Sequence, residues 1–254
     1  MEWIGTSRLS LAVPVALALL AFPHPAAAQT GLEAETRFNA GIVHLREGRA
    51  QLAVEEFKEA IRRDKENPYF YKGLGLAYAR LNRLKDAVQA FEKALKLNPY
   101  YVDVRNDLGS VLVLQGKRLE GKREFMTAYN DPTNPTPEVS ARNLGRLHFE
   151  EGDHSQALNW FRTSAGRNPS YPDAYLGIAD TLAATGQIDG AIGELEAALA
   201  KIPDSSDLLL ALGEILFRAG RLGEARLKLE ETARKDPGGF AGLRAAQILR
   251  SFPK

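Results

Sequence analysis

Residues 68–101 read PYFYKGLGLAYARLNRLKDAVQAFEKALKLNPYY, and the spacing inside this stretch decides the fold. Tyr71, Leu74, Gly75 and Tyr78 recur at helical intervals, as do Ala87, Phe91, Ala94 and Leu95; Asn82 separates the two runs, and Asn98-Pro99 ends the second. Apolar residues at three- and four-residue steps turn one face of each helix toward a core. Asn82 reaches the left-handed region cheaply and so suits a tight turn, and proline cannot donate the next helical bond. The stretch therefore predicts two helices joined by a short turn. Gly75 and Ala87 are small enough to let the helix axes approach closely, with Phe91 filling the volume between units.

The same slots recur at a period of 34 on both sides. Gly41, Gly75 and Gly109 are followed, after a slip of two, by Gly145, Ala179 and Gly213. Ala53, Ala87, Gly121, Ala157, Ala191 and Ala225 form a second series; Phe57, Phe91, Phe125, Phe161, Leu195 and Leu229 a third; Ala60, Ala94, Ala128, Ser164, Ala198 and Thr232 a fourth. Turn residues fall at Gly48, Asn82, Gly116, Gly152, Gly186 and Gly220, and prolines at Pro99, Pro169, Pro203 and Pro237. Self-similarity at this period marks a solenoid, in which no unit buries its apolar face alone.

In these residues the chain resembles the tetratricopeptide repeat family, whose units carry a large or aromatic residue, Leu-Gly, Tyr, Gly or Asn, Ala, Phe, Ala and Pro at these offsets. The resemblance covers six copies, 34–67, 68–101, 102–137, 138–171, 172–205 and 206–239. It implies an all-α, right-handed α-solenoid of helix-turn-helix repeats. Lys65 replaces the expected proline in the first copy, and Ala179 the glycine in the fifth. Residues 240–254, with Leu243, Ala246, Gln247, Ile248 and Phe252 before Pro253, read as a capping helix over the last apolar face.

A hydrophobic share of 44% with 26% charged residues and a net charge of +1 suits a water-soluble helical domain and lacks the basic excess that nucleic-acid binding needs. Cysteine is absent, which excludes disulfides and thiolate metal sites without indicating a compartment. Compartment is read instead from the first residues. Arg8 precedes an apolar run from Leu9 to Phe22, Pro23-His24-Pro25 breaks a helix, and Ala26-Ala27-Ala28 before Gln29 suits signal cleavage. Residues 1–28 are thus expected as a signal peptide cleaved after Ala28, with 29–33 a short mature N-terminal segment. The run contains Pro14 and is shorter than the roughly 20 residues of a membrane span, although Glu2 keeps an uncleaved anchor open as the alternative. Gln29 stands where a lipoprotein needs cysteine. The expectation is a periplasmic or secreted, monomeric chain that is not a lipoprotein.

No catalytic constellation stands out, and no cofactor, metal or small-molecule substrate is expected. His44 and His148 share the slot of Tyr78, Leu112, Leu182 and Leu216, which reads as ring packing, and His154 follows a turn where it should be solvated. A zinc site would need three or four converging ligands. Glu55-Glu56 and Glu230-Glu231 lie among lysines and arginines, the pattern of a solvated helix face.

Function is then expected on a surface. The resemblance implies that first helices line a concave face, where a protein or peptide partner would meet Ile42, Leu76, Arg80, Asn106, Ser110, Arg142, Arg146, Phe149, Asp180 and Phe217. Leu45, Val113 and Leu176 fit groove and repeat-to-repeat packing equally. Phe38 and Ile42 occupy first-unit slots where the family's clamp for chaperone tails carries basic and amide residues, so that use is not expected. Around the two-residue slip, Asn130-Asp131-Pro132-Thr133-Asn134-Pro135-Thr136-Pro137-Glu138-Val139 and Asn143-Leu144-Gly145 resemble the junction of six-repeat proteins that assist type IV pilus secretin assembly. The reading is a non-enzymatic exported scaffold that binds a protein segment; a pilus factor with an outer-membrane secretin subunit as partner, and a self-assembling structural protein, are the alternatives.

Overall fold

The computed structural model describes residues 25–252. Helices follow one another throughout: α1 (Pro25–Arg46), α2 (Ala50–Arg63), α3 (Pro68–Arg80), α4 (Leu84–Leu97), α5 (Val102–Leu114), α6 (Arg118–Asn130), α7 (Pro137–Glu150), α8 (His154–Arg167), α9 (Pro172–Ala184), α10 (Ile188–Lys201), α11 (Ser206–Arg218), α12 (Leu222–Lys235) and α13 (Phe240–Arg250). No strand occurs among the described residues. Most of the segment read as a signal, residues 1–24, lies outside them. Residues 29–33 are helical and continuous with α1.

Each turn inside a pair is made the same way. Gly48, Gly116, Gly152, Gly186 and Gly220 take φ between 75° and 81°, and Asn82 takes 56°. The next residue then donates its N–H across the turn, as Arg83 does to the Tyr78 carbonyl at 2.9 Å and Lys117 to Leu112 at 2.9 Å, which satisfies a carbonyl that the helix end leaves open.

The backbones of the first helices approach closely in succession, α1 to α3, α3 to α5 and onward to α11 with α13, whereas second helices stand further apart and meet through long side chains, as Arg167 of α8 does with the Tyr129 hydroxyl of α6 at 3.1 Å. First helices therefore form the inner, more closely spaced wall, and second helices the outer one. At the centre of each unit lies the ring or leucine of the third repeating slot: Phe57, Phe91, Phe125, Leu195 and Leu229 are buried almost completely.

The glycine of the Leu-Gly pair does a different job from the one expected of Gly75 and Ala87. A Cβ on Gly75 would lie 2.5 Å from Cε1 of Phe91, so it is the ring, not Ala87, that occupies the vacated space. Close backbone approach does occur one unit on, where a Cβ on Gly121 would stand 2.7 Å from the Gly109 carbonyl oxygen. The following unit supplies a second cradle: a Cβ on Gly73 would be 2.7 Å from Phe57, and Gly177 admits Phe161 in the same manner. A phenyl ring clamped between the glycines of successive units makes those units interdependent.

Past the sixth pair, α13 packs on α11 and α12, burying Ala241, Ala245, Ile248 and Phe252. It sits where the first helix of a further unit would.

Candidate functional site

Two adjoining recesses run along the inner wall of the C-terminal half. One, of about 390 Å³, lies between α7 and α9, lined by Arg142, Arg146, Phe149, Phe161, Leu176 and Asp180 among others. The absence of a side chain at Gly177, which admits the Phe161 ring, helps to open it. The second, of about 830 Å³, shares Asp180 and continues between α11 and α13 past Glu214, Phe217, Arg218, Arg244 and Gln247.

The two arginines of α7 differ in freedom. Arg142 places Nη2 3.1 Å from Asp173 Oδ2 and donates from Nε to the Tyr171 hydroxyl at 3.3 Å, so its charge is engaged as a strut to the next unit. Arg146 keeps half of its side chain exposed and has only a 3.8 Å approach to Glu150, which leaves it the freer cation at this mouth. Phe149, half-buried, has its ring centroid 5.5 Å from that of His154. His154 is thus drawn under the inner wall, contrary to the expectation of a solvated turn residue, because the first turn of α8 folds back beneath α7. His148 is buried as a ring substitute, its Nδ1 3.6 Å from Asp153 and 3.8 Å from Glu151; His44 is half-buried.

In the larger recess, Arg244 donates from Nε to Glu214 at 3.0 Å and from Nη1 to Gln247 at 3.2 Å. Phe217 leans on Phe252 with ring centroids 4.9 Å apart, leaving part of its face open. Burial raises the pKa of Asp180; Arg218 opposes the shift and Glu214 adds to it. Both signs of charge thus flank the apolar side chains of the two recesses. Among the described residues, no group of His and acidic side chains is placed to hold a metal ion.

Of the residues singled out in sequence, Arg142, Arg146, Phe149, Asp180 and Phe217 come together in these recesses. The other five do not join them. Ile42 and Leu76 pack against the core of the N-terminal units, and Arg80 stands exposed at the end of α3. Asn106 is only 6% exposed and so is turned into the wall, while the Ser110 hydroxyl donates back to the Asn106 carbonyl at 2.9 Å. Sequence reading missed Arg218, Arg244 and Gln247. Arg244 stands 34 residues after Leu210, so carrying the lattice one copy further would have placed α13 on the inner wall.

A family model of the tetratricopeptide repeat matches residues 38–102, 73–135, 142–206 and 176–240. Among curated relatives, the "Protein CTR9 homolog" of Arabidopsis thaliana is 22% identical over 84% of this chain and 20% of its own length. "Cellulose synthase 1 operon protein C" of Komagataeibacter xylinus is 26% identical over 60% of this chain and 12% of its own. The chain thus spans a fifth or less of the length of these two relatives. Among solved structures, PilW, described as a widely conserved type IV pilus biogenesis factor, aligns at a TM-score of 0.65 with 21% identity, covering 84% of this chain and 98% of that one. Pseudomonas aeruginosa pilF aligns at 0.64 with 19% identity, covering 88% and 100%. At these identities the likeness is one of fold.

Proposed function

From the premise that the chain belongs to the tetratricopeptide repeat family, whose model matches most of its length, we propose that it is a non-enzymatic scaffold holding an extended or helical protein segment against the inner wall of units 4 to 6. The observation that carries this reading is the pair of adjoining recesses, apolar at Phe149, Leu176 and Phe217 and edged by charges of both signs, Arg146, Asp180, Glu214 and Arg218. Aromatic anchors in partly enclosed pockets supply most of the energy of such interfaces, and charges around them set orientation.

A narrower reading is supported by the Asn130 to Gly145 junction and by the likeness of fold, over most of this chain, to the type IV pilus biogenesis factor PilW and to Pseudomonas aeruginosa pilF. In it the chain is exported, loses residues 1–28, and aids assembly of an outer-membrane secretin. N-terminal sequencing from an envelope fraction should then begin at Gln29; a start at Met1 in cytosol rules the export reading out.

The groove itself is tested by placing a photo-crosslinking residue at Phe149 in cells. A discrete adduct is expected, and it should vanish when Arg146→Glu is added. Losing the Phe149 ring alone should weaken a complex by about 2 kcal/mol or more. Arg142 is left intact because its bridge to Asp173 is structural. Adducts indifferent to Arg146 would remove the inner wall as the site, and an adduct with a protein other than a secretin subunit would leave the scaffold and discard the pilus role.

A further inference from the structure

The outer face of the third unit breaks the repeat pattern. Leu119 occupies a slot that holds Gln51, Lys85, Ser155, Asp189 and Gly223 in the other five units, and Met126 one that holds Lys58, Glu92, Arg162, Glu196 and Glu230. A residue seven positions on returns to the same helix face, so α6 presents two apolar side chains outward at slots where no other unit places one. Leu119 is 77% exposed, and Tyr100, from the loop between α4 and α5, is 73% exposed. The two-residue slip supplies the remaining wall. Pro132 and its neighbours in the 131–136 loop close one side of an open recess of about 910 Å³ over these side chains.

That loop is held by its own side chains. Asp131 Oδ1 accepts from the Thr133 N–H at 2.8 Å and from its hydroxyl at 2.6 Å, and Asn134 accepts from the Thr136 N–H at 2.8 Å. The recess is therefore preformed, which lowers the ordering cost of binding. Its rim carries Lys122 and Arg123, neither of which makes an ion pair among the described residues, whereas the neighbouring basic residues Lys117, Arg118 and Arg105 are each matched with a glutamate. Asp131 is the acidic residue in the lining, and it is engaged by Thr133.

We propose that this recess is a second docking site, on the outer wall, for an acidic segment of a partner protein. One bulky apolar side chain of the segment sits against Leu119, Met126 and Tyr100 while flanking carboxylates meet Lys122 and Arg123. Sites on opposite walls let the chain hold two polypeptides at once without competition.

A display library of random 12-residue peptides, selected against the full chain, tests this. Enrichment of sequences that set Asp or Glu beside Leu, Phe or Trp is expected, and a synthesised winner should bind at least tenfold more weakly to Leu119→Ser combined with Met126→Glu. Both substitutions install residues that other units carry at these slots, and unchanged helical circular dichroism checks the fold. The same peptide should bind Arg146→Glu as well as the parent, and raised salt should weaken it. Failure to enrich, or winners that ignore the double change, overturns the proposal. Two further results reassign the recess: a dimer in sedimentation that the double change dissolves makes a second copy the occupant, and phosphatidylglycerol vesicles that bind only the parent make it a membrane contact.

Discussion

Asp107 puts a carboxylate at the slot that holds Asn39, Gly73, Asn143, Gly177 and Ala211 in the other units. Burial raises its pKa to about 6, with Lys72 opposing and Asp103 adding. The sign follows directly. Above pH 6 the folded chain carries an ionised, desolvated group; between about pH 4 and 6 it takes up a proton that the unfolded chain lacks; below that range both states are protonated and the penalty is gone. Asp107→Asn should accordingly stabilise the fold by about 1 to 3 kcal/mol at pH 8, and the gain should shrink toward zero near pH 4. Paired urea titrations read this, and a gain independent of pH would place the effect elsewhere. Size matching governs the neighbouring slots. Gly75 cradles Phe91, whereas the fifth unit pairs Ala179 with Leu195, both buried. Gly75→Leu should destabilise by about 1 to 3 kcal/mol or more through over-packing. Gly75→Ala with Phe91→Leu should cost less than the two single changes added together, by about 0.5 kcal/mol or more. Strict additivity in thermal melts would mean that ring and glycine do not share one space.

The second helices end alike with one exception, and the exception is again in the third unit. Asp64, Asn98, Asn168, Ile202 and Asp236 each donate a backbone N–H to the carbonyl of the small slot, Ala60, Ala94, Ser164, Ala198 and Thr232. In α6 the Ala128 carbonyl instead receives the side-chain amide of Asn134 at 2.7 Å. The two-residue insertion thus ends the helix early, and a side chain supplies the missing bond. Asn134→Ala should cost about 1 to 3 kcal/mol, the range for a buried carbonyl left unpaired, and Asn134→Asp, which keeps the shape but removes the donor, should cost at least as much. Equal stability of Asn134→Asp and parent in denaturant titration would show that water serves as well. The slip itself was visible in sequence as a broken period, and the helix pairs were visible because every unit repeats a turn residue that is glycine or Asn82 and a central ring or leucine. What the insertion builds was not visible, since it depends on which side chain folds back to which carbonyl. The groove was half legible for a similar reason. Slot position identifies the inner wall, but Arg142 and Arg146 occupy equally plausible slots, and only the distance to Asp173 separates strut from free cation.

At the scale of the whole chain, close backbone contacts run from each helix to its neighbours in sequence and from each first helix to the first helix of the next unit, so stability is a sum of unit terms and nearest-neighbour terms. The final helix then carries two duties. It buries Ile248 and Phe252 against the last pair, and it lends Arg244 and Gln247 to the larger recess. Deleting residues 240–254 removes both. Each large apolar side chain lost from burial is worth about 1.5 to 3 kcal/mol, and Phe217 and Arg226 lose the Phe252 ring they lean on. A linear array confines that loss to its end. Hydrogen exchange of the truncated chain should show amides of α11 and α12 exchanging orders of magnitude faster, while those of α3 and α4, eight helices away, stay as protected as in the parent. Uniform loss of protection along the chain would mean that the six units unfold as one cooperative body, coupled through the phenyl rings clamped between successive units. The substitution Arg244→Ala, which leaves Ile248 and Phe252 in place, separates the duties. It should leave exchange unchanged and act on partner binding alone, so a stability loss there would assign the Arg244–Glu214 bridge to the cap and not to the groove.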